Sequence, residues 1–106
     1  MGNASVTAER RNPQTKQLVD TKLLKEEVID PVKWIYTPGD GPHSTVGIAV
    51  GTQRNFGEFS IKAAVHLECD QNFNSMDKAA EIAFTKALEY VNSGMQIAVQ
   101  QGMVQG

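Results

Sequence analysis

The densest set of metal-ligating and nucleophilic groups in this 106-residue chain is His66, Glu68, Cys69 and Asp70, with His43 and Asp40 forming a looser second set. A zinc site or a Cys-His nucleophilic pair would need the imidazole and the thiol on one side of the backbone. Residues 58–68 alternate Phe59, Ile61, Ala63, Val65 and Leu67 with Ser60, Lys62, Ala64, His66 and Glu68, the period of a half-buried strand. Side chains of a strand point alternately to opposite faces, so His66 and Cys69 diverge unless a bulge intervenes. Zinc also draws its ligands in pairs from two segments, and the chain has one Cys and two His. Gly39-Asp40-Gly41 lacks the Lys-Ser/Thr of a phosphate loop. No nucleophile elbow or paired-carboxylate arrangement is visible, so the expectation is a protein without catalytic residues, metal or cofactor.

The remaining chemistry is that of binding. Trp34, Tyr36, Phe56 and Phe59 are aromatic groups on or beside predicted strands, and stacking of bases on such platforms contributes about 1–3 kcal/mol per base. Charge opposes this: residues 1–53 carry six basic and six acidic side chains, and residues 54–106 four and six. Neutralisation of phosphates drives most non-specific affinity, so neither half has the basic surplus that nucleic acid demands. The candidate binding residues are Trp34, Tyr36, Arg54, Phe56, Lys62 and His66. Arg54, Lys62 and His66 lie beside a strand face made almost wholly of small residues, Gly47, Ala49, Gly51, Ser60 and Ala64. Glycine weakens a strand interior, which points to close approach of something to this backbone. A segment of the same chain, a neighbouring subunit or a small anionic ligand would each satisfy it.

Residues 1–14 hold few large apolar groups and read as a flexible arm. Residues 15–30 are helix-compatible, with Leu18, Val19, Leu23, Leu24, Val28 and Ile29 in pairs five apart. Pro31 breaks that segment. Residues 32–37 then alternate Val32, Trp34 and Tyr36 with Lys33, Ile35 and Thr37, as a strand would. The run Pro38-Gly39-Asp40-Gly41-Pro42 is a turn. Strands at 44–51 and 58–68 follow, and then a helix capped by Asn74 or Ser75, running to about Asn92 and ending at Gly94. Its stripe of Met76, Ala80, Ala83, Phe84, Ala87, Leu88 and Val91 is expected to face the sheet, with Phe84 and Leu88 supplying most of the buried area. The expected fold is α+β: a three-stranded antiparallel meander, a C-terminal helix on one face, an N-terminal helix and an N-terminal arm. Residues 15–94 form one domain, and the uncharged tail 95–106 docks on its own or a neighbouring subunit.

From Gly51 to Ser60 the chain reads Gly-Thr-Gln-Arg-Asn-Phe-Gly-Glu-Phe-Ser, followed by the alternating strand to Cys69 and a capped helix. Over residues 44–91 this resembles a group of small, uncharacterised phage-encoded proteins in which an Asn-Phe-Gly-x-Phe turn joins two strands before a helix. The resemblance implies phage origin and the cytoplasm of a bacterial host, which the single Cys also favours. The expected function is that of a non-enzymatic phage accessory protein, working as a homo-oligomer and binding a host nucleic-acid-processing or defence component. Single-stranded nucleic-acid binding and nucleotide capture are the alternatives. No membrane partner is expected, because no run of about 18 apolar residues occurs.

Overall fold

A computed structural model describes residues 2–30, 32–39, 41–54 and 58–103. Four antiparallel strands, β1 (Gly2–Arg11), β2 (Leu18–Ile29), β3 (His43–Arg54) and β4 (Phe59–Asp70), form one sheet in the order β2-β1-β4-β3. A single helix, α1 (Phe73–Gln100), lies along one face. The architecture is α+β, but four of its parts depart from the expected arrangement.

The expected arm is β1, a central strand paired on both sides. Its Ala4, Val6 and Ala8 alternate with Ser5, Thr7 and Glu9, and the first three are buried. The expected N-terminal helix is β2, an edge strand. Asn12-Pro13 starts the turn between them: Asn12 Oδ1 accepts from the backbone N–H of Gln14 and Thr15 at 2.9 and 3.2 Å, and Lys16 takes the left-handed conformation at φ 64°. Asn at the first turn position and Pro at the second favour this geometry. Pairing slips between Val6↔Lys25 and Thr7↔Leu23, which leaves Leu24 as an extra residue, and a second slip occurs at the Arg11 end. Such bulges destroy a period of two. That is why β2 carries apolar residues in a rhythm that matches neither a strand nor a helix.

Residues 32–37 are not a strand. They form a hydrogen-bonded turn, in which the N–H groups of Ile35 and Tyr36 both donate to the Val32 carbonyl. This turn belongs to the connection that crosses from the β2 edge of the sheet to the β3 edge. The sheet is therefore no meander. Ile35 is buried while Trp34 is 74% exposed, the reverse of a face shared by Val32, Trp34 and Tyr36.

Helix α1 begins at Asn72, whose side chain accepts from Ser75 N–H. It does not end at Gly94. Gly102, at φ 73°, is the terminating glycine: its N–H donates to Val99 and that of Met103 to Ala98, at 3.1 and 2.9 Å, the paired bonds of a Schellman end. Gly94 lies mid-helix, where a Cβ would stand 2.5 Å from Val6 Cγ1. The buried helix residues are Ala79, Ala83, Ala87, Val91, Gly94 and Ala98. They meet Ala4, Val6, Ile61, Ala63, Val65 and Leu67 in two adjoining clusters. Phe84 and Leu88, expected to dominate this contact, are 50% and 42% exposed. Small residues bring the helix close to the sheet and turn its large side chains outward.

Candidate functional site

The second face of the sheet carries no element among the described residues. Strand register makes it a grid, with Val28, Asn3, His66 and Gly47 in one row, Glu26, Ser5, Ala64 and Ala49 in the next, and Leu23, Thr7, Lys62 and Gly51 in a third. Among the described residues, neither the expected N-terminal helix, which is β2, nor the tail up to Met103 covers it. Residues 95–100 continue α1 on the opposite face, where Met95 and Met103 pack against the cluster around Val6 and Phe59. Its centre, Ser5, Ala64 and Ala49, with Gly47 and Gly51 beside them, carries only small side chains. His66 is seated on Gly47: a Cβ there would stand 2.7 Å from the imidazole Cδ2, so glycine leaves the space that the ring occupies. Sequence reasoning found the β3 and β4 half of this surface. It missed the β1 half, Asn3, Ser5 and Thr7, although their alternation with Ala4, Val6 and Ala8 was the available signal.

The five described candidate binding residues do not form one site. Lys62 and His66 share the open face. Arg54 ends β3, whereas Tyr36 stacks on His43 near the start of the same strand, with ring centroids 4.4 Å apart. Trp34 lies by the helix, in a hollow shared with Lys78, Ile82 and Lys86. Phe56 falls outside the described residues. Of the aromatic residues expected to form a stacking platform, Trp34 and Tyr36 lie outside the three rows of this grid. Lys62 shares an open depression of about 600 Å³ with Glu9, Gly51, Gln53 and Ser60. The carboxylate there opposes the lysine as an anion site.

Near the start of α1, Asp70 ties the crossing turn to the sheet. Its Oδ1 accepts from Thr37 N–H at 2.9 Å and its Oδ2 from the Thr37 hydroxyl at 2.8 Å. His43 Nε2 donates to the Thr37 carbonyl at 2.9 Å and stands 3.6 Å from Asp70 Oδ1. The Thr37 N–H, then its hydroxyl, and more weakly the His43 charge hold the Asp70 carboxyl below its ordinary range. A depressed carboxylate adds stability above its unfolded pKa, and this is lost as pH falls through the folded value. The stability difference between wild type and Asp70→Asn should therefore shrink between about pH 5 and pH 2. Urea midpoints across that range measure it, and a constant difference would refute the assignment.

On the β2 flank of the helix, the Tyr90 hydroxyl donates to Glu27 Oε2, and Lys25 Nζ lies 5.2 Å from the centre of the Tyr90 ring. The Glu27 hydrogen bond, followed by burial, pushes the Tyr90 phenol up to about 12. Tyr90 thus pins the helix to the edge strand as a neutral donor. Cys69 is fully buried, and burial, with a smaller contribution from Asp70, pushes its thiol up. That is the opposite of what a nucleophile needs. Among the described residues no group of three or more His, Cys, Asp and Glu could hold a metal ion, and no helix is long and apolar enough to cross a membrane. Comparison with protein-family models, with curated proteins and with solved structures finds no match to this chain.

Proposed function

We propose that the protein is a non-enzymatic binding protein, a phage accessory factor that works as a homo-oligomer and engages a protein of the bacterial host through the open face of its sheet. The observation that carries this reading is the uncovered grid around Ser5, Ala49 and Ala64, backed by the helix on the opposite face. The small side chains at the centre of this face admit close backbone approach by another protein. The buried thiol and the scattered ionisable groups support binding over catalysis. The host partner, in nucleic-acid processing or anti-phage defence, rests on the resemblance carried by residues 44–91.

The test is affinity capture from host lysate, followed by titration of the recovered protein against wild type and Ala64→Arg. Ala64 sits mid-grid between Ser5 and Ala49, so a long cation there blocks approach without entering the core. The expected result is one stoichiometric partner whose affinity falls at least about tenfold in the variant, a loss of about 1.4 kcal/mol. Recovery of no partner would overturn the proposal, and so would equal affinity of the two proteins. Salt-sensitive binding of single-stranded DNA would replace it with the nucleic-acid reading.

A further inference from the structure

The two edges of the sheet differ in a way that bears on self-association. The β2 edge has five charged residues, Asp20, Lys22, Lys25, Glu26 and Glu27, and is interrupted by two register slips. Charges and bulges on an edge are the usual protection against pairing with another chain. The β3 edge has neither. From Ser44 to Gln53 it carries no charged residue, no proline and no slip against β4 over its twelve paired positions. It is long, regular and, among the described residues, unpaired on its outer side, the form of edge that invites another strand.

The helix supplies an independent observation on the same side. Tyr90 marks the flank of α1 that faces β2, through its bond to Glu27. At 100° per residue, Phe84 and Leu88 fall on the opposite flank, beyond the alanines that touch the sheet. That flank overhangs β3, whose Val46, Ile48 and Val50 are only partly buried beneath the helix. An uncharged strand edge and an exposed apolar flank thus run side by side.

We infer that β3 pairs antiparallel with β3 of a second copy, making a two-fold symmetric dimer with a continuous eight-stranded sheet and the two helices side by side. This inference rests on the proposed self-association and is independent of the host partner. Symmetry and parity restrict the register. Both helices lie on one side only if residues of like face oppose each other, so the axis passes at a residue, and the fullest overlap of His43–Arg54 puts it at Ile48 or at Ala49. With the axis at Ile48, Val46 of one copy opposes Val50 of the other on the helix side, and Gly47 opposes Ala49 on the open side. No like charges meet, as a self-complementary interface requires.

The spacing also fits. Strands lie about 4.8 Å apart, so a helix over the β4–β3 strip has its axis about 5–6 Å from the two-fold. The helices then stand about 10–12 Å apart, at or just beyond the 8–10 Å of direct helix packing. Large side chains are needed to close such a gap, and Phe84 and Leu88 stand there. The alanines on the neighbouring helix face allow the helix to sit low enough for them to meet. Dimerisation would also double the open grid into one surface.

Sedimentation of the 11.6 kDa chain tests the interface with three variants, each checked for folding by circular dichroism. Wild type and Leu23→Lys, on the β2 edge, are expected to remain dimers. Ala49→Glu on the β3 edge and Phe84→Lys on the helix flank should each raise the dimer dissociation constant by roughly 30-fold or more, the factor typical of a central interface side chain. A dimer that persists in both variants, or one broken only by Leu23→Lys, overturns the β3 interface and leaves self-association by another surface. A monomeric wild type overturns both.

Discussion

Ile35→Ala is expected to lower stability by about 2–5 kcal/mol, while Trp34→Ala, at the neighbouring position, changes it by less than about 0.5 kcal/mol. Residue size alone argues the reverse, because tryptophan is the larger apolar group. Position decides. Ile35 is 1% exposed and packs with Cys69 and with Ala79 and Ala83 of the helix. The Ile35 carbonyl accepts the Asp70 N–H at 2.7 Å. Truncation would leave a cavity at the junction of the crossing turn, β4 and the helix start. Trp34 lies 74% in solvent, and its removal exposes little that is not already wet. A domain of this size holds about 5–15 kcal/mol in total, so Ile35→Ala consumes a large share. Urea denaturation of both variants decides the matter. Equal losses, or a larger loss for Trp34→Ala, would show that the turn packs through its tryptophan.

The same pair explains why residues 32–37 are misread as a strand. Alternation of β-favouring types is the signal of a strand, but it is equally produced by a turn with one anchor flanked by exposed neighbours. The deciding facts are non-local: β2 ends on one edge of the sheet, β3 starts on the other, and the link must cross the end between them. No local pattern encodes that crossing. The strands β3 and β4 were legible because each has an uninterrupted period of two and a firm turn before it. β2 was not, because its bulges shift phase at Leu24. β1 was not, because a helix lying close above it selects alanine and valine, so the strand lacks the large residues by which a buried strand is recognised.

The candidate surface was legible to the same extent as its strands. Gly47, Ala49, Gly51, Ser60, Ala64, Lys62 and His66 were found on one face, where register places them. Trp34 and Tyr36, expected beside them, belong to the crossing turn. The helix shows why its stripe misled. Alanine and large apolar residues at three- and four-residue steps form a single hydrophobic arc, and hydrophobicity does not say which part of the arc meets the sheet. Shape does: the part with Gly94 and the alanines fits close to a strand, and the part with Phe84 and Leu88 does not. A hydrophobic arc too wide for one partner is consistent with the helix serving two, its own sheet and the neighbouring copy.

The tightest point of that fit gives the second large effect. Gly→Ala in a helix interior ordinarily stabilises by about 0.8–1 kcal/mol, but at Gly94 the sign should invert. An added Cβ would lie 2.5 Å from Val6 Cγ1 and 3.1 Å from Ile61 Cγ2, and both neighbours are buried, at 1% and 0% exposure. Neither is a flexible chain end that can swing into solvent, and a β-branched valine has little rotameric freedom to yield. Overpacking of this kind costs about 1–3 kcal/mol, so Gly94→Ala should lose up to about 2 kcal/mol net and Gly94→Val more. Gln96→Ala, on the exposed side of the same turn, should be neutral or slightly stabilising. The physical cause is isolated by a double-mutant cycle with Val6→Ala, which removes the clashing methyl groups. Residues in contact couple by about 0.5–3 kcal/mol, and here the coupling should be favourable, the double variant being more stable than the two single losses predict. Additive losses, or a stabilised Gly94→Ala, would place the helix farther from β1 than the alanine bed implies, and would remove the reason for Phe84 and Leu88 to face outward.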